Sequence, residues 1–397
     1  MTSMISKEGR EELLARGYSR RQFGRIAALL GMPVAAAATL PKFMSTGRAA
    51  TTTDIPEMSR PDKRNMVRIG TNECWTGPFP SAAVAGAATV KLGNRYEPGD
   101  LRSQLITNAS KVEALPESHI LPWPGSSDPL SRVVVTFCSP GRGLVTADPT
   151  FEASWRTAAW LNVKCTKVPL RPENNYATDV KAMLAADPNA GVYYVCSPNN
   201  PTGTLTPVAD IAWLVANKPA GSIVLVDEAY LHFSEAKSAA YLVAQNQDVI
   251  VLRTFSKLFG MAGLRLGFSF AKPELHAKMM RYDGKNQSGT LSIVAVAVGS
   301  SSLLQAQNIV RRRNEMIAAR EATFAHLRQR GITYIPSDAN MFIVDWKKPA
   351  GPVKAAFAEQ GIDIGRNWPV WPNASRITVG SAGEMERFCG ALDRVIV

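Results

Sequence analysis

The sequence predicts an α/β fold in two parts: a large domain built on a mostly parallel sheet flanked by helices, and a smaller α+β domain at the C-terminus. Three observations predict it. Between residues 144 and 252, short apolar runs alternate with longer amphipathic ones, the pattern of strand and helix in turn. Runs such as Ile223-Val224-Leu225-Val226 are apolar at every position, which suits a parallel strand covered on both faces. Beyond about residue 304 the pattern changes to a long polar helix followed by short strand candidates.

In chain order, the strand candidates of the large domain are Leu144 to Ala147, Lys164 to Val168, Val192 to Val195, Ile223 to Val226 and Val249 to Leu252. Helix-like stretches separate them, including Glu152 to Leu161 and Pro207 to Val215. In the last third, Leu304 to Arg330 reads as a helix closed by Gly331. Met341 to Val344, Ile362 to Ile364 and Arg376 to Val379 then read as strands. Residues 1–50 form a leader, residues 51–95 a segment joining the small domain and the substrate pocket, residues 96–300 the large domain and residues 301–397 the small one.

Of the 397 residues 46% are hydrophobic, enough for a substantial core, and 20% are charged with no long single-sign run, which argues against a disordered chain or a coiled coil. The net charge is +12, partly a property of the leader, where eight Lys/Arg face three Asp/Glu. The remaining excess suits an anionic cofactor or substrate. It forms no basic stripe with interleaved aromatics, so a nucleic-acid partner is not expected.

In the leader, Ser19-Arg20-Arg21-Gln22-Phe23 precedes the apolar run Ile26 to Leu40 and the small residues Ala49-Ala50. This resembles a bacterial twin-arginine export signal, which implies a periplasmic or exported protein, or a cytoplasmic one if the leader is not used. The alternative is an N-terminal helix of the mature protein. Gly31 and Pro33 interrupt the run, which is short for a membrane span, and no other stretch approaches membrane length, so no membrane is expected in the mature form. The five cysteines match neither a zinc site nor a dense disulfide framework.

The strongest site signal is Thr254-Phe255-Ser256-Lys257-Leu258-Phe259-Gly260, continuing to Arg265 and Gly267. A lysine past a strand end, flanked by the hydroxyls of Thr254 and Ser256 and followed by an arginine, can hold an aldehyde cofactor that carries a phosphate. Lys257 would form the Schiff base, while Ser256 and Arg265 would bond the phosphate. Taken alone, Lys257 reads as a surface lysine beside a glycine turn. Two further strand ends strengthen the cofactor reading. Asp227, which otherwise reads as a helix cap, can keep a pyridine nitrogen protonated, and Tyr230 can reach the ring's phenolic oxygen. Ser197-Pro198-Asn199-Asn200-Pro201-Thr202-Gly203 is a rigid turn from which Asn200 can donate to that same oxygen.

The order of Asn200, Asp227, Tyr230, Lys257 and Arg265 resembles the fold-type-I enzymes dependent on pyridoxal 5'-phosphate (PLP), the aspartate aminotransferase superfamily, and within it the histidinol-phosphate aminotransferase-like group. The resemblance covers nearly everything after residue 65. It implies a phosphate turn at Gly125-Ser126-Ser127-Asp128, with Ser126 and Ser127 on the anion, and an aromatic ring, Phe151, over the pyridine. It implies a homodimer in which Asn94-Arg95-Tyr96 of a neighbouring subunit adds the Tyr96 hydroxyl to the phosphate. Arg376 would clamp the substrate carboxylate, and Asn72-Glu73-Cys74-Trp75-Thr76-Gly77-Pro78 would line the substrate pocket through Asn72 and Trp75. The implied activity is transfer of an amino group from an amino acid or related primary amine to an oxo acid, without metal.

Three departures from that pattern bear on the substrate. Gly365 stands where many relatives place an arginine, with Arg366 one position later; Trp368 and Trp371 lie nearby and suggest a bulkier or less charged substrate end; and Asp283 to Ser288 differs from the usual entry loop. A PLP-dependent oxidase, hydroxylase or cyclising enzyme would use the same cofactor residues. A noncatalytic binding protein on the same fold is the remaining alternative.

Overall fold

The computed structural model describes residues 5–30, 66–282 and 291–396. Twelve strands lie within them: β1 Val67–Ile69, β2 Ile120–Trp123, β3 Leu144–Asp148, β4 Cys165–Pro169, β5 Val192–Cys196, β6 Ile223–Asp227, β7 Val249–Thr254, β8 Gly267–Phe270, β9 Thr333–Ile335, β10 Met341–Asp345, β11 Ile362–Ile364 and β12 Ala374–Thr378. Seven form one sheet in the order β2-β8-β7-β6-β5-β3-β4. The five strands from β7 to β4 are parallel, and β8 runs antiparallel to both β7 and β2.

Side-chain alternation along these strands builds two cores, one on each face of the sheet. On one face Tyr193, Val195, Val224, Val226, Val249 and Val251 pack against apolar residues of the helices Leu101–Glu113, Val208–Asn217 and Ile293–Leu303. On the other, Val192, Tyr194, Cys196, Ile223, Leu225, Ile250 and Leu252 meet Leu130, Val133 and Val134 of the helix Ser127–Phe137. Double coverage explains why the central strands read as continuous apolar runs.

Two smaller sheets follow in space. β12, β10 and β9 form an antiparallel sheet, and β1 pairs in parallel with β11, which ties the N-terminal segment to the C-terminal region. The 24-residue helix Ala306–Gln329 occupies the stretch expected to be helical. No single described helix is long and apolar enough to cross a membrane.

Residues 5–30 belong to the stretch expected to be a leader. Helices Lys7–Ala15 and Arg20–Leu29 dock on the second core, burying Ile5, Leu13, Tyr18, Ile26 and Leu30 beside Met279 and Tyr282. Tyr18 donates to the Cys138 carbonyl at 2.7 Å, Arg16 to the Val135 carbonyl at 2.9 Å and Gln22 to the Leu161 carbonyl at 2.6 Å. The Ser19-Arg20-Arg21-Gln22 sequence makes a capping box at the second helix, leaving Arg20 and Arg21 exposed. The rest of the leader and the Asp283–Ser288 loop lie outside the described residues.

Candidate active site

The C-terminal ends of β5, β6 and β7 bring three distant segments together, because parallel strands all deliver their following loops to one edge. Asp227 ends β6, Asn200 follows β5 by four residues and Lys257 follows β7 by three. The Lys257 ammonium donates to the Asn72 carbonyl at 3.0 Å and stands 5.3 Å from the centroid of the Tyr230 ring. Asn72, held in the left-handed region at φ 56°, donates through Nδ2 to the Tyr230 hydroxyl at 3.2 Å. The Thr378 hydroxyl fixes it by donating to its Oδ1 at 2.9 Å. Sequence reading had left Thr378 without a role; its signal is the position two residues beyond Arg376 on β12.

Burial sets the proton affinities here. It holds the Lys257 amine down to about 8, with the Arg376 charge acting in the same direction and Glu73 and Asp227 opposing. Burial also lifts the Asp227 carboxyl to about 6, against hydrogen bonds from Tyr194 at 3.0 Å and the Ala229 N–H at 3.1 Å. Tyr230 is pushed up, again by burial, so it stays a neutral hydroxyl.

A second group of donors converges on the turn before the helix Ser127–Phe137. Gly125 sits at φ 95°, and a Cβ there would lie 2.3 Å from Nη2 of Arg265. Arg265 also reaches the Ser256 hydroxyl at 3.3 Å, and Thr254 donates to Ser256 at 2.9 Å. Ser126 and Ser127 open the helix, whose first N–H groups have no intrahelical acceptor. Free N–H groups, hydroxyls and a guanidinium together make an anion cradle.

Arg376 on β12 completes the site from the small domain. It is 8% exposed, donates to Asn200 Oδ1 at 2.9 Å and to the Gly70 carbonyl at 2.7 Å, and its buried Nε has no partner among the described residues. Trp368 is buried beside it, 5.6 Å from the guanidinium carbon, and Trp371 meets Tyr176 edge-on at 5.7 Å. Arg366 also lies over Trp368 and pairs with Glu152 at 2.6 Å; Glu152 holds Arg156 as well, at 2.8 Å. The Glu152–Arg366 pair escaped sequence reading because its partners are more than two hundred residues apart.

The remaining expected residues are Phe151, Tyr96 and Trp75. Phe151 is half-buried at the edge of the second core, next to Thr150, which donates to Asn199 at 2.6 Å. Tyr96 is 90% exposed and joins none of the groups around Lys257 within its own chain. Trp75, expected to line the substrate pocket, is half-buried against the first core. It lines a groove of about 640 Å³ with Ala319, Thr323 and Met385, between the helices Ala306–Gln329 and Ala382–Val395. Asn72, three residues earlier, is buried against Tyr230 and Thr378.

Known proteins similar to this chain share one family and fold. The family model for aminotransferase class I and II matches residues 64–392. A histidinol-phosphate aminotransferase of Symbiobacterium thermophilum is 30% identical over 83% of this chain and 90% of that relative. An aromatic amino acid aminotransferase of Rhodococcus erythropolis is 31% identical over 82% of this chain and 89% of its own. The crystal structure of histidinol-phosphate aminotransferase from Sinorhizobium meliloti in complex with pyridoxal-5'-phosphate superposes with a TM-score of 0.75 at 23% identity, covering 83% of this chain and 90% of that one.

Proposed function

The chain belongs to the class I and II aminotransferases, and from that premise we propose that it moves the amino group of an amino acid with an aromatic or bulky apolar side chain onto an oxo acid. It is a PLP-dependent transaminase. The observation that carries the residue assignments is the pairing of Lys257 and Arg376, two buried cations whose hydrogen-bond partners are all neutral oxygens. Such a site is incomplete without an anionic guest, since an uncompensated buried charge is costly.

The donor set fits the cofactor. Lys257 would hold its aldehyde carbon, Asp227 would face the pyridine nitrogen, Asn200 and Tyr230 would serve the phenolic oxygen, and Phe151 would cover the ring. Ser126, Ser127, Thr254, Ser256 and Arg265 would take the phosphate. When bound, PLP supplies a carbonyl for the lysine and a ring that draws electrons from the substrate carbon. The depressed proton affinity of Lys257 leaves part of it as a free amine near neutral pH, able to take up and return the proton of that carbon. Arg376 orients the substrate through its carboxylate, with its unmatched Nε as one of the donors.

The apolar surroundings support the side-chain preference. Trp368 lies against Arg376 with Trp371 bridged to it in turn, and Glu152 already neutralises Arg366, which leaves that arginine poorly placed to select an acidic side chain. The exposed Tyr96 supports a homodimer in which each subunit lends this hydroxyl to its partner's phosphate cradle. The exposed paired arginines support export by a twin-arginine route, while the docking of residues 5–30 supports their retention in the folded enzyme. N-terminal sequencing of protein recovered from the periplasm and the cytoplasm tests both points.

The function itself is tested by loading the purified protein with PLP and screening amino donors for loss of the visible band. Aromatic donors should bleach it faster than dicarboxylic ones, and an oxo acid should restore it without oxygen. Absence of a band, or oxygen-dependent release of ammonia with no need for an oxo acid, would overturn the proposal.

A further inference from the structure

Asp227 is buried at the floor of the site without a guanidinium partner, and its two oxygens have one donor each among the described residues. The Ala229 N–H serves Oδ1 and the Tyr194 hydroxyl serves Oδ2, at 3.1 and 3.0 Å. β5 and β6 run in parallel with Tyr194 opposite Leu225 and Cys196 opposite Asp227, so Tyr194 reaches forward along its own face to the end of the next strand. Its hydroxyl is sealed in the second core, with the Cys196 thiol beside it. Cys196, on the same face, directs its thiol to the Pro198 carbonyl at 3.4 Å. Tyr194 is thus the one side-chain donor to this carboxylate among the described residues.

We propose that Tyr194 is a positioning residue that holds Asp227 as the carboxylate facing the cofactor's ring nitrogen, and so keeps the proton on that nitrogen. The inference rests on the assignment of Asp227 to the pyridine nitrogen. A buried carboxylate and a ring nitrogen compete for one proton, and a hydrogen bond from Tyr194 is made well only to the ionised acid. Removing it raises the proton affinity of the acid and draws the proton from the ring, which weakens the ring as an electron sink. The other ionisable groups around Asp227 are Cys196 from β5, Glu228 and Tyr230 from the loop after β6, and Lys257 beyond β7. Cys196 and Tyr230 stay neutral through burial, and Glu228 is taken up by Arg253 at 2.8 Å and the Ala239 N–H at 2.6 Å. None of them can replace the Tyr194 proton donor at Oδ2.

The test is a pH titration of the visible Lys257-linked chromophore in the PLP-loaded wild type, Tyr194→Phe and Cys196→Ala proteins. Loss of one charge-assisted hydrogen bond is expected to raise the midpoint in Tyr194→Phe by about one pK unit or more, while Cys196→Ala leaves it in place. PLP affinity should change by less than about threefold in Tyr194→Phe, because the phosphate cradle and Lys257 are untouched. A second reading needs no cofactor. In apoprotein with carbon-13-labelled aspartate, the Asp227 carboxyl should titrate about one unit higher in Tyr194→Phe. An unmoved midpoint in both measurements overturns the inference, as does a midpoint shift matched by Cys196→Ala. If the wild type forms no chromophore, the assignment of the cofactor site fails instead, and the apoprotein titration still reads the Tyr194–Asp227 bond by itself.

Discussion

Replacing Gly125 by alanine should weaken cofactor binding through the phosphate alone. At φ 95° an L residue carries a backbone cost of roughly 1–2 kcal/mol, and the added Cβ would stand 2.3 Å from Nη2 and 3.0 Å from Cζ of Arg265. One of the two must move, and the guanidinium is the softer. Its displacement forfeits a charge-assisted hydrogen bond to the phosphate worth about 1.5–3 kcal/mol, which converts to a loss of PLP affinity of about ten- to hundredfold. The assay is titration of apoprotein with PLP, followed by the visible band, with pyridoxal lacking the phosphate as a second ligand. Pyridoxal affinity should be unchanged in Gly125→Ala. Gly263→Ala serves as the control, because a Cβ at that glycine meets nothing within 4 Å. Unchanged PLP affinity in Gly125→Ala, or an equal loss for PLP and pyridoxal, would refute the reasoning.

Three further outcomes follow from the same contacts. Arg376→Lys removes the planar fork from a buried carboxylate site, so KM for amino-acid donors should rise about ten- to hundredfold with a smaller effect on amines lacking the carboxylate. Steady-state kinetics on paired donors checks this. Because burial holds Lys257 near 8 and only the neutral amine attacks an aldehyde, the rate of PLP capture by apoprotein should rise about tenfold per pH unit up to about 8 and then level off. Stopped-flow absorbance measures it, and a rise continuing toward 10 contradicts the burial argument. Tyr18→Ala should destabilise the full chain by about 3–5 kcal/mol, as expected for a large aromatic side chain lost from a core, read as a lower guanidinium midpoint. A Tyr18→Ala protein as stable as the wild type would show that residues 5–30 do not form part of the folded enzyme.

The central strands were legible because burial on both faces leaves a continuous apolar run that nothing in a loop imitates. β2 and β8 were not. β2 contains Pro122, which suits an edge position and breaks the pattern, and β8 begins at Gly267 inside a segment read for its site chemistry. The residues at strand ends, Asn200, Asp227 and Lys257, were legible because an open parallel sheet presents its ligand at that edge, so position and chemistry gave the same answer. Tyr194 was hidden inside an apolar strand, where nothing in one dimension tells a hydroxyl aimed at Asp227 from ordinary core packing. The N-terminal helices were read as a leader because the apolar run after Ile26 has no polar face. Their packing on the second core uses Ile5, Leu13, Tyr18, Ile26 and Leu30, spaced across two helices and the turns beside them.

The most direct measurement is to reduce the PLP-loaded protein with borohydride, digest it and locate the pyridoxyl group by mass spectrometry. The account predicts a single labelled peptide with the group on Lys257, and no label in Lys257→Ala. A label on another lysine, or unchanged labelling and turnover in Lys257→Ala, would contradict it.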